Sequence, residues 1–284
     1  MAAVLGVDWG ATLAKLALRD PGGGIAFRVL PVDGSGGGLR EDPGAARSAL
    51  AEAGARRFGL TGGGAAMLAR ELGPDAVQVN EFAAWGAGAA AMLTELEAPP
   101  TQRHLLVSLG TGTSVLLVDG LSVTRVGGTA LGGGTLLGLA AGLIGTTDFE
   151  RIAALAQAGA RREVDLLVSD IYAAGGIALA GDLTASNFGK LARRLAAGER
   201  AADADLAQAI VGMIAENVAL LCASLAGAAQ VTRIVFGGST LRNNPVLSEM
   251  LTHYLRAYGR DPVFLPRGEF AGALGALLLA SGDS

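Results

Sequence analysis

Val7-Asp8-Trp9-Gly10-Ala11-Thr12-Leu13 and Val107-Ser108-Leu109-Gly110-Thr111-Gly112-Thr113 are written to one plan. Each passes from an apolar strand through a glycine-containing turn into a returning strand. An internal repeat of this kind predicts two related lobes that face each other and bring both turns to one cleft. Between them, Glu97-Ala98-Pro99-Pro100-Thr101-Gln102 reads as a linker, because consecutive prolines end helices. The expected lobes are therefore residues 1–98 and 99–284.

Composition narrows what such lobes can do. Hydrophobic residues make up 51% and charged residues 17% of the 284, which excludes a disordered chain. A net charge of −4 argues against a broad basic surface and hence against nucleic acid as a partner. One Cys and two His cannot build an intrachain disulfide, a Cys/His zinc site or an iron–sulfur cluster. Met1–Gly10 lacks the pattern of a secretory signal. Val126–Thr147 is charge-free and long enough to span a membrane, but its glycines would expose backbone to lipid. A soluble, cytoplasmic protein with no membrane partner is the expectation.

The remaining elements follow from local signals. Asp42–Ala55, with Pro43 at its start, reads as a helix. Phe82–Leu96 is helical in composition, and Asp119-Gly120 marks a hairpin. Thr147 with Glu150 suggests a capping box for a helix through Ala158. Glu163–Tyr172 reads as a helix and Asp182–Phe188 as a loop. Ala204–Ala229 is a long apolar helix suited to a core or a dimer seam. Asn244-Pro245 opens a helix to Ala257, and Phe270–Ala280 closes the chain.

Four features could hold a nucleotide. Asp8 ends the first strand with Gly10, Ala11 and Thr12 behind it. Turn amides can cradle phosphate oxygens, and the carboxylate can hold Mg²⁺ directly or through water. The plainer alternative is a hairpin with an acid at its rim. Gly110, Thr111, Gly112 and Thr113 form a second such turn, weak as evidence by itself. Gly127-Gly128-Thr129-Ala130-Leu131-Gly132-Gly133-Gly134-Thr135 is more specific, because it runs into Leu136–Ile144 and places free amides at a positive helix end. Gly237, Gly238 and Ser239 follow a strand and suit close approach to a base or ribose, or an ordinary turn. His104 and His253 stand in unremarkable contexts, and no Gly-x-x-x-x-Gly-Lys-Ser/Thr motif occurs.

The stretch from Gly6 to Leu13, with Lys15, resembles the first phosphate motif of the actin, sugar kinase and heat-shock ATPase superfamily. The segment Arg125–Leu139 resembles the glycine signature of type II pantothenate kinases. Gly181–Gly189, Phe236–Pro245 and Phe270–Leu277 are similar to later segments of that family, in order along the chain. The resemblance implies an α/β, two-lobed actin-like ATPase (ribonuclease H-like) fold with a nucleotide cleft between lobes. It implies a homodimer that phosphorylates pantothenate with Mg-ATP, starting coenzyme A synthesis, and makes a coenzyme A thioester a candidate inhibitor. Carried over by position, Glu81 is the catalytic base, Thr111 a substrate-binding hydroxyl, Arg125 a substrate and charge-stabilising group, and Asp8 the Mg²⁺-associated acid. One departure is Gly10-Ala11-Thr12, where the family has Gly-Gly-Thr; a methyl fits there only if φ stays negative.

The chemistry of phosphoryl transfer asks for positioning and charge neutralisation. Amides around Gly10–Thr12, Gly110–Thr113 and Gly132–Thr135 are expected to hold the triphosphate, with Asp8 organising Mg²⁺. Glu81 then accepts the alcohol proton. By itself, Glu81 is also a plain helix-start acid and Arg125 a plain strand-end charge. Two rivals stand beside this reading: a sugar kinase of the same superfamily, and an inactive regulator that binds ATP or acyl-CoA. An activator of a radical dehydratase is discarded, since it needs two cysteines and Cys222 is alone.

Overall fold

The computed structural model describes residues 3–32, 50, 54–96, 103–172 and 181–282. The first sheet contains β1 (Val4–Trp9), β2 (Leu13–Arg19), β3 (Ile25–Pro31), β4 (Arg57–Thr61) and β5 (Ala76–Gln78), in the order β3-β2-β1-β4-β5. The second contains β6 (Arg103–Leu109), β7 (Thr113–Asp119), β8 (Ser122–Thr129), β11 (Arg233–Gly237) and β12 (Asp261–Phe264), in the order β12-β11-β6-β7-β8. In each sheet a three-stranded antiparallel meander is extended by two parallel strands beside its first member. The repeat that shows weakly in two turns is thus a repeat of the entire sheet.

Apolar patterning explains the layers. β1 is buried along its whole length, as a central strand covered on both faces must be. α1 (Ala65–Leu72) packs on one side of the first sheet. On the other lies α8 (Ala271–Ser281), which returns from the end of the chain to contact β1, β2 and β4. α8 lies close enough that a methyl at Gly6 would strike the Ala273 carbonyl. α2 (Glu81–Thr94) crosses α8 through Gly88 and Gly275. Around α2 and α8 a single core gathers Val4 and Ala17 of the first sheet with Leu106, Leu116 and Val235 of the second. The closing helix therefore ties the C-terminal segment into the N-terminal sheet.

The outer face of the second sheet is covered by α3 (Gly133–Leu143), α4 (Phe149–Ala158), α6 (Asp203–Ala228) and α7 (Pro245–Ala257). Among the described residues, α6 is the one helix long and apolar enough to cross a membrane. Ile210, Ile214, Val218 and Cys222 lie fully buried along it, as in the spine of a core. A short antiparallel pair, β9 (Leu166–Leu167) and β10 (Thr184–Ser186), and α5 (Leu191–Ala196) complete the described elements.

Several sequence expectations are corrected. Glu163–Tyr172 is not one helix but two 3₁₀ turns flanking β9. Buried Arg161 pairs with Asp165 at 3.0 Å and Glu216 at 2.9 Å and donates to the Tyr254 hydroxyl. Asp165 accepts from the Phe188 amide, so these tertiary bonds outweigh a helical path. Asp182–Phe188 is not loop throughout, because it contributes β10. The cap of α4 is Asp148 rather than Thr147, its carboxylate accepting from the Glu150 and Arg151 amides at 3.1 Å. Gly127–Thr129 belong to β8, so the glycine signature is strand, turn and helix start in succession. The expected helix Asp42–Ala55 falls largely outside the described residues, as do the Glu97–Gln102 linker and the boundary at 98/99.

Candidate active site

Both repeated turns open into one cavity of about 610 Å³. Its walls include Asp8, Gly10, Ala11, Thr12, Lys15 and Glu81 from the N-terminal part. From the C-terminal part come Gly110, Thr111, Gly112, Thr113, Arg125, Gly133, Gly134, Gly238 and Ser239. The turns meet face to face, with Thr12 Oγ1 3.4 Å from Thr111 Oγ1. Gly132 and Gly237, both expected in the site, do not line it. Gly132 is buried beneath the second turn, where a methyl would come within 2.7 Å of the Thr111 carbonyl oxygen and 2.8 Å of that of Gly110. Gly237 lies against Gly268 and Trp85.

The first turn is closed by a bond from the Gly10 amide to the Leu13 carbonyl at 3.1 Å. Ala11 is not among the non-glycine residues with left-handed backbone, so its methyl is accommodated. Asp8 is 5% exposed at the end of β1, and Lys15 Nζ stands 3.9 Å from its carboxylate. Glycines clear both sides of that carboxylate: a methyl at Gly62 or at Gly272 would lie 2.8 Å from one of its oxygens. Burial pushes the Asp8 carboxyl above its ordinary range, and Lys15 opposes this. Glu81 is the first residue of α2, exposed to the cavity, with Asn80 capping the helix behind it by accepting from the Phe82 and Ala83 amides. Partial burial raises its pKa first and the Asp8 charge adds to this, while Lys15 lowers it.

The second turn is braced from several directions. The Gly110 amide donates to the Gly112 carbonyl at 2.9 Å. The Gly133 amide donates to the Gly110 carbonyl at 2.8 Å and the Gly134 amide to the Thr111 carbonyl at 2.9 Å. Thr240 Oγ1 adds a 2.8 Å bond to Gly110, and Thr113 Oγ1 donates to the Leu131 carbonyl at 2.7 Å. Two of the helix-start amides expected to be free for phosphate are thus engaged in holding the turn. The expectation of free amides fails there because their acceptors come from a hairpin distant in sequence.

Some lining residues fall outside the motifs legible in the sequence: Phe149 and Glu269 reach the cavity from segments that only the fold brings together, whereas Ser108, Ser114, Thr240 and Arg242 lie in or beside segments already singled out. Trp85 stands one helical turn after Glu81, a spacing that puts both on one face. His104 is buried in β6, and His253 lies 3.4 Å from Asp182 at the surface; neither borders the cavity.

The donor set suits a nucleotide with its metal. Among the described residues no cluster of three His, Cys, Asp or Glu side chains could cage an ion. Mg²⁺, however, ordinarily takes one or two carboxylates and completes its shell with substrate phosphates and water. Asp8, cleared by its glycines and opening on the cavity, fits that role.

Comparison with known proteins gives a consistent picture. Residues 49–279 match the model of the Fumble family. The chain is 33% identical over 285 aligned residues to a protein of Bacillus anthracis named type II pantothenate kinase, covering 99% of each. A Staphylococcus haemolyticus protein of the same name is 32% identical over 225 residues, covering 78% of this chain and 82% of that one. Among solved structures, component A of the Acidaminococcus fermentans (R)-2-hydroxyglutaryl-CoA dehydratase superposes with a TM-score of 0.66 at 19% identity, covering 100% of this chain and 99% of that one. The ROK family glucokinase of Streptomyces griseus, solved with glucose and AMPPNP, gives 0.63 at 14% identity, covering 99% of each. The fold is therefore that of the two-lobed actin-like ATPases and sugar kinases.

Proposed function

We infer the chemistry of the cleft from one premise: the chain belongs to the Fumble family, the type II pantothenate kinases. It is an enzyme that phosphorylates pantothenate to 4'-phosphopantothenate with ATP, the opening reaction of coenzyme A biosynthesis. The observation that carries the site assignment is the convergence of Asp8, Glu81 and both glycine turns on a single cavity.

In this reading the braced turn Gly110–Thr113 and the turn Gly10–Thr12 grip the phosphate chain through backbone amides and hydroxyls. Gly238 and Ser239 border the adenosine. Bound Mg²⁺ would neutralise charge on the β- and γ-phosphates, with Asp8 as its protein ligand. In this reading Lys15, which pairs with Asp8 and lines the same cavity, donates to a phosphate oxygen. The primary hydroxyl of pantothenate gives its proton to the Glu81 carboxylate as its oxygen bonds to the γ-phosphorus. The bond from that phosphorus to the β,γ-bridging oxygen breaks, and ADP departs. Arg125 faces the acceptor and the charge that develops on the transferred group. Thr111 hydrogen-bonds the acceptor.

The raised pKa of Glu81 suits a base working near neutral pH, since proton transfer is most effective when the catalytic pKa approaches the operating pH. A homodimer and a soluble, cytoplasmic setting belong to the same proposal, as does a coenzyme A thioester as inhibitor. A coupled ADP-release assay with pantothenate beside glucose and N-acetylglucosamine tests the substrate. Release that depends on pantothenate supports the reading, and release with a sugar alone contradicts it.

A further inference from the structure

Arg125 enters the cleft through an irregularity of its strand. Along β7 the side chains alternate: Val115 and Leu117 pack in the core containing α6, while Leu116 and Val118 join the core around α2. β8 follows the same two faces. A methyl on Gly127 would meet Leu225 of α6, and Gly86 of α2 faces Val123. Leu116 pairs with Arg125, yet Val115 pairs with Gly127, so Val126 is an extra residue, a β-bulge. Arg125 and Gly128 then share the cleft face, opposite Leu116 and Ser114.

The guanidinium of Arg125 lies over Gly128. A methyl built there would stand 2.6 Å from Arg125 Nη2 and 2.5 Å from the Thr113 carbonyl oxygen. We propose that Gly128 is the seat of Arg125: a positioning residue whose missing side chain, at a spacing set by Val126, holds the guanidinium toward the acceptor alcohol. The inference rests on the functional reading for the identity of that alcohol. The guanidinium meets this position end-on, through Nη2 with Cζ at 3.5 Å, so how far its fork reaches depends on the space the missing side chain leaves. Val126 is 37% exposed, so its contribution is spacing rather than packing.

Kinetics of Gly128→Ala, Arg125→Ala and the double variant test this, with Gly127→Ala as the neighbouring control. Gly128→Ala is expected to raise the KM for pantothenate about tenfold while leaving the KM for ATP within about twofold, and to add nothing in the Arg125→Ala background. An equal loss in both backgrounds makes Gly128 merely structural and overturns the proposal, as does an unchanged pantothenate KM. Should Gly128→Ala fail to fold, deletion of Val126 adds no atom and is expected to raise the same KM; no change overturns the proposal. A ligand-free crystal structure of whichever variant folds reads the seat without turnover. The guanidinium displaced from the cleft supports it, and the guanidinium unmoved contradicts it. Wild-type protein that turns over no pantothenate sinks the functional reading and leaves this structural test in force.

Discussion

The turns at Gly10–Thr12 and Gly110–Thr113 grow from one sequence plan and from sheets of identical strand order, yet they are supported differently. The second is held by amides of α3, by the Thr240 hydroxyl and by its own closing bond. The first has its own closing bond and one from the Val32 amide to the Thr12 carbonyl, with no helix-start amides turned onto it among the described residues, and beside it stand the charged side chains Asp8, Lys15 and Glu81. The difference separates two tasks that phosphoryl transfer requires, a rigid platform for phosphate and a set of charges for the reacting end.

Substitutions on the charged wall are expected to act most strongly. Glu81→Gln removes the proton acceptor while keeping the shape, and kcat should fall by about 10²–10⁴-fold with nucleotide affinity retained. Stopped assays paired with calorimetric titration of ATP would show both. Asp8→Asn should lower kcat by roughly 10²-fold and raise the Mg²⁺ concentration needed for half-maximal rate, as expected for a lost electrostatic partner. If Asp8→Asn left both unchanged, the contrast between the walls would collapse.

The braced wall should respond through binding. Thr240→Val removes the hydroxyl that donates to the Gly110 carbonyl, and a lost bond worth about 1 kcal/mol predicts a rise of about fivefold in the KM for ATP with kcat nearly constant. A fall in kcat at constant KM would show that the second turn takes part in chemistry.

A pH profile sharpens the comparison further. The base must be ionised, so kcat/KM is present above the Glu81 pKa and is lost as pH falls through it. Because partial burial and then Asp8 raise that pKa, the acid limb should lie above the ordinary glutamate range. In Asp8→Asn, residual activity should show this limb moved to lower pH, one of its causes having been removed. The smallest effect is expected for Ala11→Gly. With Ala11 outside the left-handed region, restoring glycine should alter the KM for ATP by less than about twofold.

How far the sequence discloses this depends on how local each feature is. Both turns, the start of α2 at Glu81 and the Asn244 cap of α7 are written in adjacent residues, and they are legible there. The glycine signature is legible as a motif but not as a structure. Gly133 and Gly134 give their amides to carbonyls of a hairpin twenty-odd residues earlier, and nothing near them encodes that acceptor. The return of α8 to the first sheet is hidden for the same reason, since Gly6 and Gly275 mark close approach without naming a partner. At Glu163–Tyr172, helical composition yields to Arg161 and Asp165, whose partners lie on α6, α7 and the segment at Phe188.

The most direct measurement is a crystal structure of the wild-type protein with Mg-AMPPNP and pantothenate. The account predicts the triphosphate lying between the two turns and the primary hydroxyl of pantothenate within about 2.6–3.2 Å of the Glu81 carboxylate. A hydroxyl beyond reach of Glu81, or a nucleotide seated away from Gly10 and Gly110, would contradict it.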